Sequence, residues 1–438
     1  MLRLIYTALL YVAAPLALGW TAWRGLRDPL YRDRLLERLG YTRLRLPGSR
    51  DRADEPGGTI WVHAVSVGEV QAAVALVRAL RQRYPEHPLL MTTATPTGAQ
   101  RVKALFGADV LHCYLPYDLP GAVRRFLDRT QPAVAVVLET EIWPNLYREC
   151  ARRGLRIVLV SARLSEKSVR RFRRIAGLFR DTLRQDLTIG AQTEADAERF
   201  VAVGADRSRV QVTGNIKFDL QVPVQARQAG EALRASQFPQ RFVWVAGSTH
   251  EVEEDLLLQA HRQLLLACPE ALLVLVPRHP NRFAGVRQWL SAQAPAAPAA
   301  DWYVTRSSGA AVTPRTQVLL VDTLGELLQF YAAADVAFVG GSLVPIGGHN
   351  LLEPAALACP IVTGPHNFNA PQIARLLFEQ GAAVEVSSAG QLAEILLALR
   401  DSPERRRRMG QAAADMVDSN RGAVARALQL IALTGGDS

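Results

Sequence analysis

Cysteine is scarce in this chain. Its four residues, Cys113, Cys150, Cys268 and Cys359, lie far apart in apolar or helical stretches. They make neither a disulfide framework nor a metal-type spacing, which favours a reducing compartment. His279 and His349 lack the accompanying carboxylate–histidine set that a metal site needs, so no metal and no cofactor is expected. Aromatic residues are only 7% and no nucleic-acid motif occurs, so nucleic acid is not expected as a partner despite a net charge of +10. Acidic residues are outnumbered, 41 against 51 Lys and Arg. That excess suits an anionic membrane surface or a phosphorylated lipid better. No internal repeat recurs at a fixed period.

One long uncharged stretch is present, Leu4 to Trp23. At helical rise it just spans a bilayer core. Trp20, Trp23 and Tyr31 stand where an interfacial belt would lie, and Arg24, Arg27, Arg32, Arg34 and Arg38 follow. By the positive-inside rule the body of the protein is cytoplasmic and the short N-terminus faces out. Pro15 and Gly19 weaken the helix and leave shallow insertion open. Ala17-Leu18-Gly19 has the form of a signal cleavage site, but the arginines close behind it disfavour export.

With 438 residues, the chain is too long for one ordinary core and suggests two or three domains. Helical patterns alternate with short Val/Leu-rich strands, which favours α/β architecture with parallel sheets. The reading is a membrane anchor over 1–23 and a basic juxtamembrane segment over 24–58. An N-terminal Rossmann-like domain follows over 59–220. A C-terminal Rossmann-like domain, the one with the nucleotide loop, takes 221–438, its last helix able to return to the N-terminal domain. Strands are expected at 59–63, 89–93, 109–114, 133–138, 156–160, 187–191 and 210–213. The second half should have them at 242–246, 272–276, 318–321, 336–339, 360–363 and 383–386. One helix is expected over 70–83, one from Leu324, and helix throughout 391–432. Ser291 to Ala300 reads as a surface loop. Ligands of such sheets sit at the carboxyl ends of strands, and the polar clusters fall there, which points to one interdomain cleft.

The densest chemical signal is Gly340-Gly341-Ser342-Leu343-Val344-Pro345-Ile346-Gly347-Gly348-His349-Asn350-Leu351-Leu352-Glu353-Pro354. A strand, a glycine loop and a helix start would offer backbone N–H groups and a dipole end to a phosphate. Glu353 could then hold a ribose hydroxyl pair. Glu69 opens a helix after Ser66 and Gly68, and reads either as a first-turn acid or as a general base for a sugar hydroxyl. Glu139 and Glu141 end an apolar strand, so one can face the cleft while the other pairs with an arginine such as Arg163. Lys217 can neutralise charge on a leaving phosphate or pair with Asp219. Arg278 offers a forked donor set for phosphate or carboxylate. Arg170, Arg171, Arg173, Arg174 and Arg180 lie on an amphipathic pattern that suits anionic lipid or a solvated face equally.

Seven motifs, in order, carry a resemblance over nearly the whole chain. They are His63-Ala64-Val65-Ser66-Val67-Gly68-Glu69, Tyr114-Leu115-Pro116-Tyr117-Asp118, Glu139-Thr140-Glu141-Ile142-Trp143-Pro144-Asn145, Ser161-Ala162-Arg163-Leu164-Ser165, Lys217-Phe218-Asp219, Pro277-Arg278-His279-Pro280 and the glycine segment. Together they resemble the bacterial 3-deoxy-D-manno-octulosonic acid (Kdo) transferases of lipopolysaccharide biosynthesis. The resemblance implies a GT-B glycosyltransferase that moves Kdo from CMP-Kdo to the lipid A precursor (lipid IVA) at the cytoplasmic side of the cell inner membrane. It also implies that Glu69 is the general base and that Glu139 and Lys217 stabilise the transition state. Pro277, Arg278, Leu324, Gly325, Glu326, Asn350, Leu351, Leu352 and Glu353 match positions that contact CMP. Leu138 and Leu351 stand where members commonly have Met and Pro. Another GT-B transferase or epimerase, or a non-catalytic nucleotide-sugar binder on the membrane, is the alternative on the residues alone.

Overall fold

The structure, a computed structural model, describes residues 2–31, 34–44, 58–174, 176–294 and 301–433. Much of the expected juxtamembrane segment (45–57) and the end of the expected Ala/Pro-rich loop (295–300) lie outside the described residues. The chain forms two compact units. The first takes the residues up to Asp219 together with those from Asn420 on; the second is Leu220–Ser419.

The first unit is built on β1 (Thr59–His63), β2 (Leu89–Thr93), β3 (Leu111–Tyr114), β4 (Pro132–Leu138), β5 (Arg156–Ala162), β6 (Leu187–Ala191) and β7 (Val210–Val212). They form one sheet in the order β3-β2-β1-β4-β5-β6-β7, parallel throughout. Their runs of Val, Ile and Leu are what a sheet covered on both faces requires. Side chains alternate between two layers. Trp61 joins Phe126, Tyr147 and Phe200 on one side. Ile60 and Val62 join Leu76, Met91 and Val136 on the other.

That second layer is completed from the far end of the chain. Ala423, Ala427 and Ile431 of the last helix (Ala423–Ile431) are buried in it. Asp219 accepts from the N–H groups of Gly422 and Val424, each at 2.7 Å, and so caps this helix. Arg156 closes its other end by donating to the carbonyls of Ile431 and Ala432.

The second unit repeats the architecture with β8 (Val243–Thr249), β9 (Leu272–Pro277), β10 (Tyr303–Thr305), β11 (Val318–Leu320), β12 (Val336–Val339), β13 (Ile361–Thr363) and β14 (Ala383–Glu385). The order is β10-β11-β9-β8-β12-β13-β14, again parallel. In each sheet the winding reverses once, between β1 and β4 and between β8 and β12. Such switch points are where parallel sheets bind ligands.

Several expectations need correction. The helix expected over 70–83 is two, Val67–Ala72 and Val74–Arg83. The C-terminal helix is three. Pro403, which lacks an N–H to continue a helix, starts the second, and Gly422 at φ +90° precedes the third. Leu324 and Gly325 form a turn, and the helix begins at Leu327. β10 was not expected.

The chain opens with a helix, Leu2–Arg27, that is long and apolar enough to cross a membrane.

Candidate active site residues in the two units

In the first unit the chemistry gathers at the switch point. β1 hands over to the short helix Val67–Ala72, which carries Glu69 in its first turn. Glu69 Oε2 accepts from the Val65 N–H at 2.8 Å. Burial pushes its pKa up to about 7, against the pull of the Val65 N–H, and the nearby Glu139 and Glu141 push the same way. β4 hands over to Glu139, whose backbone is left-handed at φ +55°. That conformation turns the chain out of the strand and separates Glu139 from Glu141. Glu139 accepts from Lys217 Nζ at 2.7 Å through one oxygen and from Arg163 Nε at 3.1 Å through the other. Burial opposes its ionisation, but the two cations outweigh it and hold its pKa below the usual value.

Glu141 goes elsewhere. It accepts from Trp143 Nε1 at 3.0 Å, and burial raises its pKa. Lys217 is presented by a short turn (Ile216–Asp219) after β7. Buried Asn215 holds that turn, its Oδ1 accepting from the Lys217 N–H at 3.0 Å and from Ser161 Oγ at 3.3 Å. Glu69, Glu139 and Lys217 thus form one electrostatic cluster. One carboxyl is poised near neutrality and the other is fixed as an anion on a lysine, the division of pKa values that separates proton-transfer from charge-stabilising roles. The pairing of Lys217 with Asp219 does not occur; Asp219 serves the last helix instead.

In the second unit the expected residues line the carboxyl edge of the sheet. Pro277 ends β9 and is buried. Arg278 projects from the surface while its N–H donates to the Thr249 carbonyl at 3.0 Å. After β11, Leu324 stays 71% exposed, a large apolar side chain without cover. Gly325 takes φ +83°. Glu326 is bound by Arg306 at 2.9 Å and by Thr323.

After β12 the glycine segment differs from expectation. Six of its N–H groups are already used within the protein. Those of Gly341, Ser342 and Leu343 donate to the fully buried carboxylate of Glu253 at 2.7, 3.0 and 2.9 Å. Those of Gly347, Gly348 and His349 donate to the carbonyls of Gly341 and Gly340. The glycines instead permit left-handed backbone at 341, 347 and 348 and a close approach at Gly340, where a Cβ would meet the Ser248 carbonyl at 2.6 Å. Beyond them, Leu351 and Leu352 are buried, so only their backbone can meet a ligand. Asn350 is exposed and donates to Glu353 Oε1 at 3.1 Å. The helix they open, Leu352–Ala356, is too short for a strong dipole.

What does collect at this switch point is a group of neutral imidazoles beside the Arg278 guanidinium. His250 after β8 and His349 after β12 stand with Nε2 atoms 2.7 Å apart, and His279 lies edge-on to His250. Burial lowers the pKa of all three, and Arg278 lowers each further. Uncharged imidazoles next to a guanidinium can donate and accept hydrogen bonds while Arg278 supplies the charge an anion would meet. Sequence reading passed over His250, and also Glu253, because their partners lie far along the chain.

A family model described as 3-deoxy-D-manno-octulosonic-acid transferase (kdotransferase) matches residues 33–220, and one described as glycosyl transferases group 1 matches residues 239–416. The chain is 41% identical over 432 residues to the 3-deoxy-D-manno-octulosonic acid transferase of Haemophilus influenzae, covering 98% of each chain. It is 38% identical to that of Bordetella pertussis, again over 98% of each. Among solved structures it shares a fold with the UDP-GlcNAc 2-epimerase of Neisseria meningitidis bound to UDP-GlcNAc. There the TM-score is 0.54 at 13% identity, over 85% of this chain and 100% of that one. The fold is the two-domain GT-B type.

Proposed function

Because the chain belongs to the 3-deoxy-D-manno-octulosonic acid transferases, and so is a glycosyltransferase, we propose that it moves Kdo from CMP-Kdo to the lipid A precursor with inversion at the anomeric carbon. Glu69 removes the proton from the glucosamine primary hydroxyl as that oxygen attacks the anomeric carbon. The bond from this carbon to the CMP phosphate oxygen breaks, and CMP leaves with the electron pair. Lys217, held by Glu139, offsets charge in the transition state. Arg278 and the histidines around it take the phosphate and carboxylate of the donor. Leu324, Gly325 and Glu326, with the backbone of Leu351 and Leu352 and the side chains of Asn350 and Glu353, hold the nucleoside.

The observation that carries this reading is the half-buried Glu69 carboxyl in the first turn after β1, its pKa pushed up to about 7 by that burial, in one cluster with the Glu139–Lys217 salt bridge at 2.7 Å. A base for an alcohol at neutral pH needs that poise. We place the enzyme at the cytoplasmic side of the inner membrane, held by its N-terminal helix against anionic lipids, because the acceptor is a lipid and Arg24 and Arg27 end that helix.

The test is transfer from CMP-Kdo, generated in situ, to tetra-acylated lipid A precursor, with products resolved by mass. A gain of one or more Kdo masses is expected. No gain beside an active control enzyme would remove the donor–acceptor assignment, and stronger competition by UDP than by CMP would replace the donor.

A further inference from the structure

The N-terminal helix has the opposite amphipathicity to a helix of a water-soluble protein. Its sheltered side is mostly polar or small, including Tyr6, Thr7, Ala14, Ala17, Thr21 and Gly25. Its outward side carries Ile5, Leu9, Val12, Leu16, Trp20 and Trp23, each at least half exposed. A stripe of this kind asks for hydrocarbon outside and protein inside.

The sheltered side is latched to the first unit near its beginning. Tyr6 Oη donates to Asp118 Oδ2 at 2.9 Å, and Thr7 Oγ1 to Asn145 Oδ1 at 3.1 Å. Asp118 and Asn145 are themselves buried and joined, Asn145 Nδ2 donating to the Asp118 carbonyl at 2.7 Å. These are two motif residues that the transfer chemistry leaves unused. Leu2 lies over Gly177, where an added Cβ would meet its Cδ1 at 3.1 Å.

The other end of the helix returns to the same unit. The turn Leu35–Leu39 follows, and there Glu37 accepts from the Tyr114 N–H at 2.9 Å, four residues before Asp118. A helix of 26 residues is about 39 Å long. If it crossed a hydrocarbon core of about 30 Å, its two ends would lie on opposite sides of the membrane. One folded unit cannot hold both.

We infer that this helix lies in the plane of the membrane interface, latched along the first unit, with its apolar stripe in the acyl region of a bilayer. Arg24 sits over the rings of Trp20 and Tyr31 at 5.3 and 4.4 Å, and Arg27 over Trp23 at 4.9 Å. Such aromatic–arginine pairs sit at headgroup level and favour anionic lipid. The inference rests on the membrane reading above and narrows it from an anchor to an in-plane one.

The four native cysteines are all buried, so introduced thiols report cleanly. In the full-length protein in native membranes, Thr7→Cys with Asn145→Cys should form an intramolecular disulfide under mild oxidant, while Leu16→Cys with Asn145→Cys should not. Because Asn145 is buried, a second measurement avoids it. Leu2→Cys and Arg27→Cys, each alone, should react with an impermeant maleimide from the same side of sealed vesicles. Reaction from opposite sides would overturn the in-plane helix and leave a crossing one. Failure of the unaltered protein to float with vesicles containing anionic phosphatidylglycerol would remove the membrane reading itself.

Discussion

Glu69→Gln separates the two demands placed on one carboxyl. Its pKa stands at about 7 against an ordinary 4.5. Each tenfold change in proton affinity is about 1.4 kcal/mol, so holding this group ionised costs the folded state about 3 kcal/mol, and solvent at a partly exposed group trims that to about 2 kcal/mol. The sign follows from a raised folded-state pKa. The neutral carboxyl leaves stability intact below pH 4.5; the loss accrues as pH climbs to about 7 and is complete above it. Glutamine keeps the shape of the neutral form and can still accept from the Val65 N–H. The variant should therefore match the unaltered protein near pH 4.5 and exceed it by about 2 kcal/mol at pH 8, a rise in Tm of a few degrees. Kdo transfer should be abolished while CMP binding, read by calorimetry, stays nearly intact. In the unaltered enzyme, kcat/KM should rise about tenfold per pH unit up to about 7 and then level off. A flat pH profile between 5.5 and 8, or substantial transfer by Glu69→Gln, would refute Glu69 as the base. Equal loss of transfer and CMP binding would reduce it to a structural cap.

Three further outcomes follow from other contacts. Lys217→Met leaves Glu139 with Arg163 alone and should lower kcat roughly 100-fold with little change in CMP affinity. Glu253→Ala strands three buried N–H groups of the glycine loop and should cost about 3 kcal/mol in denaturant unfolding, with CMP binding falling as the loop loosens. Asp219→Ala removes the cap of the last helix and should cost about 1 kcal/mol, with limited proteolysis cutting first near residue 422.

Much of this was legible because the local signals agree with the global fold. The runs 59–63, 89–93, 187–191 and 336–339 are apolar, β-branched and bounded by turns, and they are strands to the residue. Tyr303–Thr305 has only Val304 buried, so no apolar run marks it in the sequence. The break at Ala73 has no Pro or Gly to mark it. At the candidate site the residue types were legible and their partners were not. The local pattern offers Arg163 to either Glu139 or Glu141 without choosing; it goes to Glu139, whose tighter bond reaches a lysine 78 positions away. The glycine loop looks open in the sequence because its acceptor, Glu253, lies 88 positions earlier. His250 and His349 are 99 apart. Local pattern reports which backbone can turn and which side chains can react; only sheet order decides which of them meet.

The last helix has a consequence for how the protein is made. On the ribosome the residues up to Asp219 emerge first, but the layer containing Ile60, Val62 and Val136 stays open until Ala423, Ala427 and Ile431 arrive. The whole of Leu220–Ser419 must be synthesised in between. At about 5–20 residues per second, that is a wait of the order of ten seconds or more. The unit translated first is thus the last to finish folding, and for that interval it offers an apolar seam to chaperones, or to a neighbouring chain.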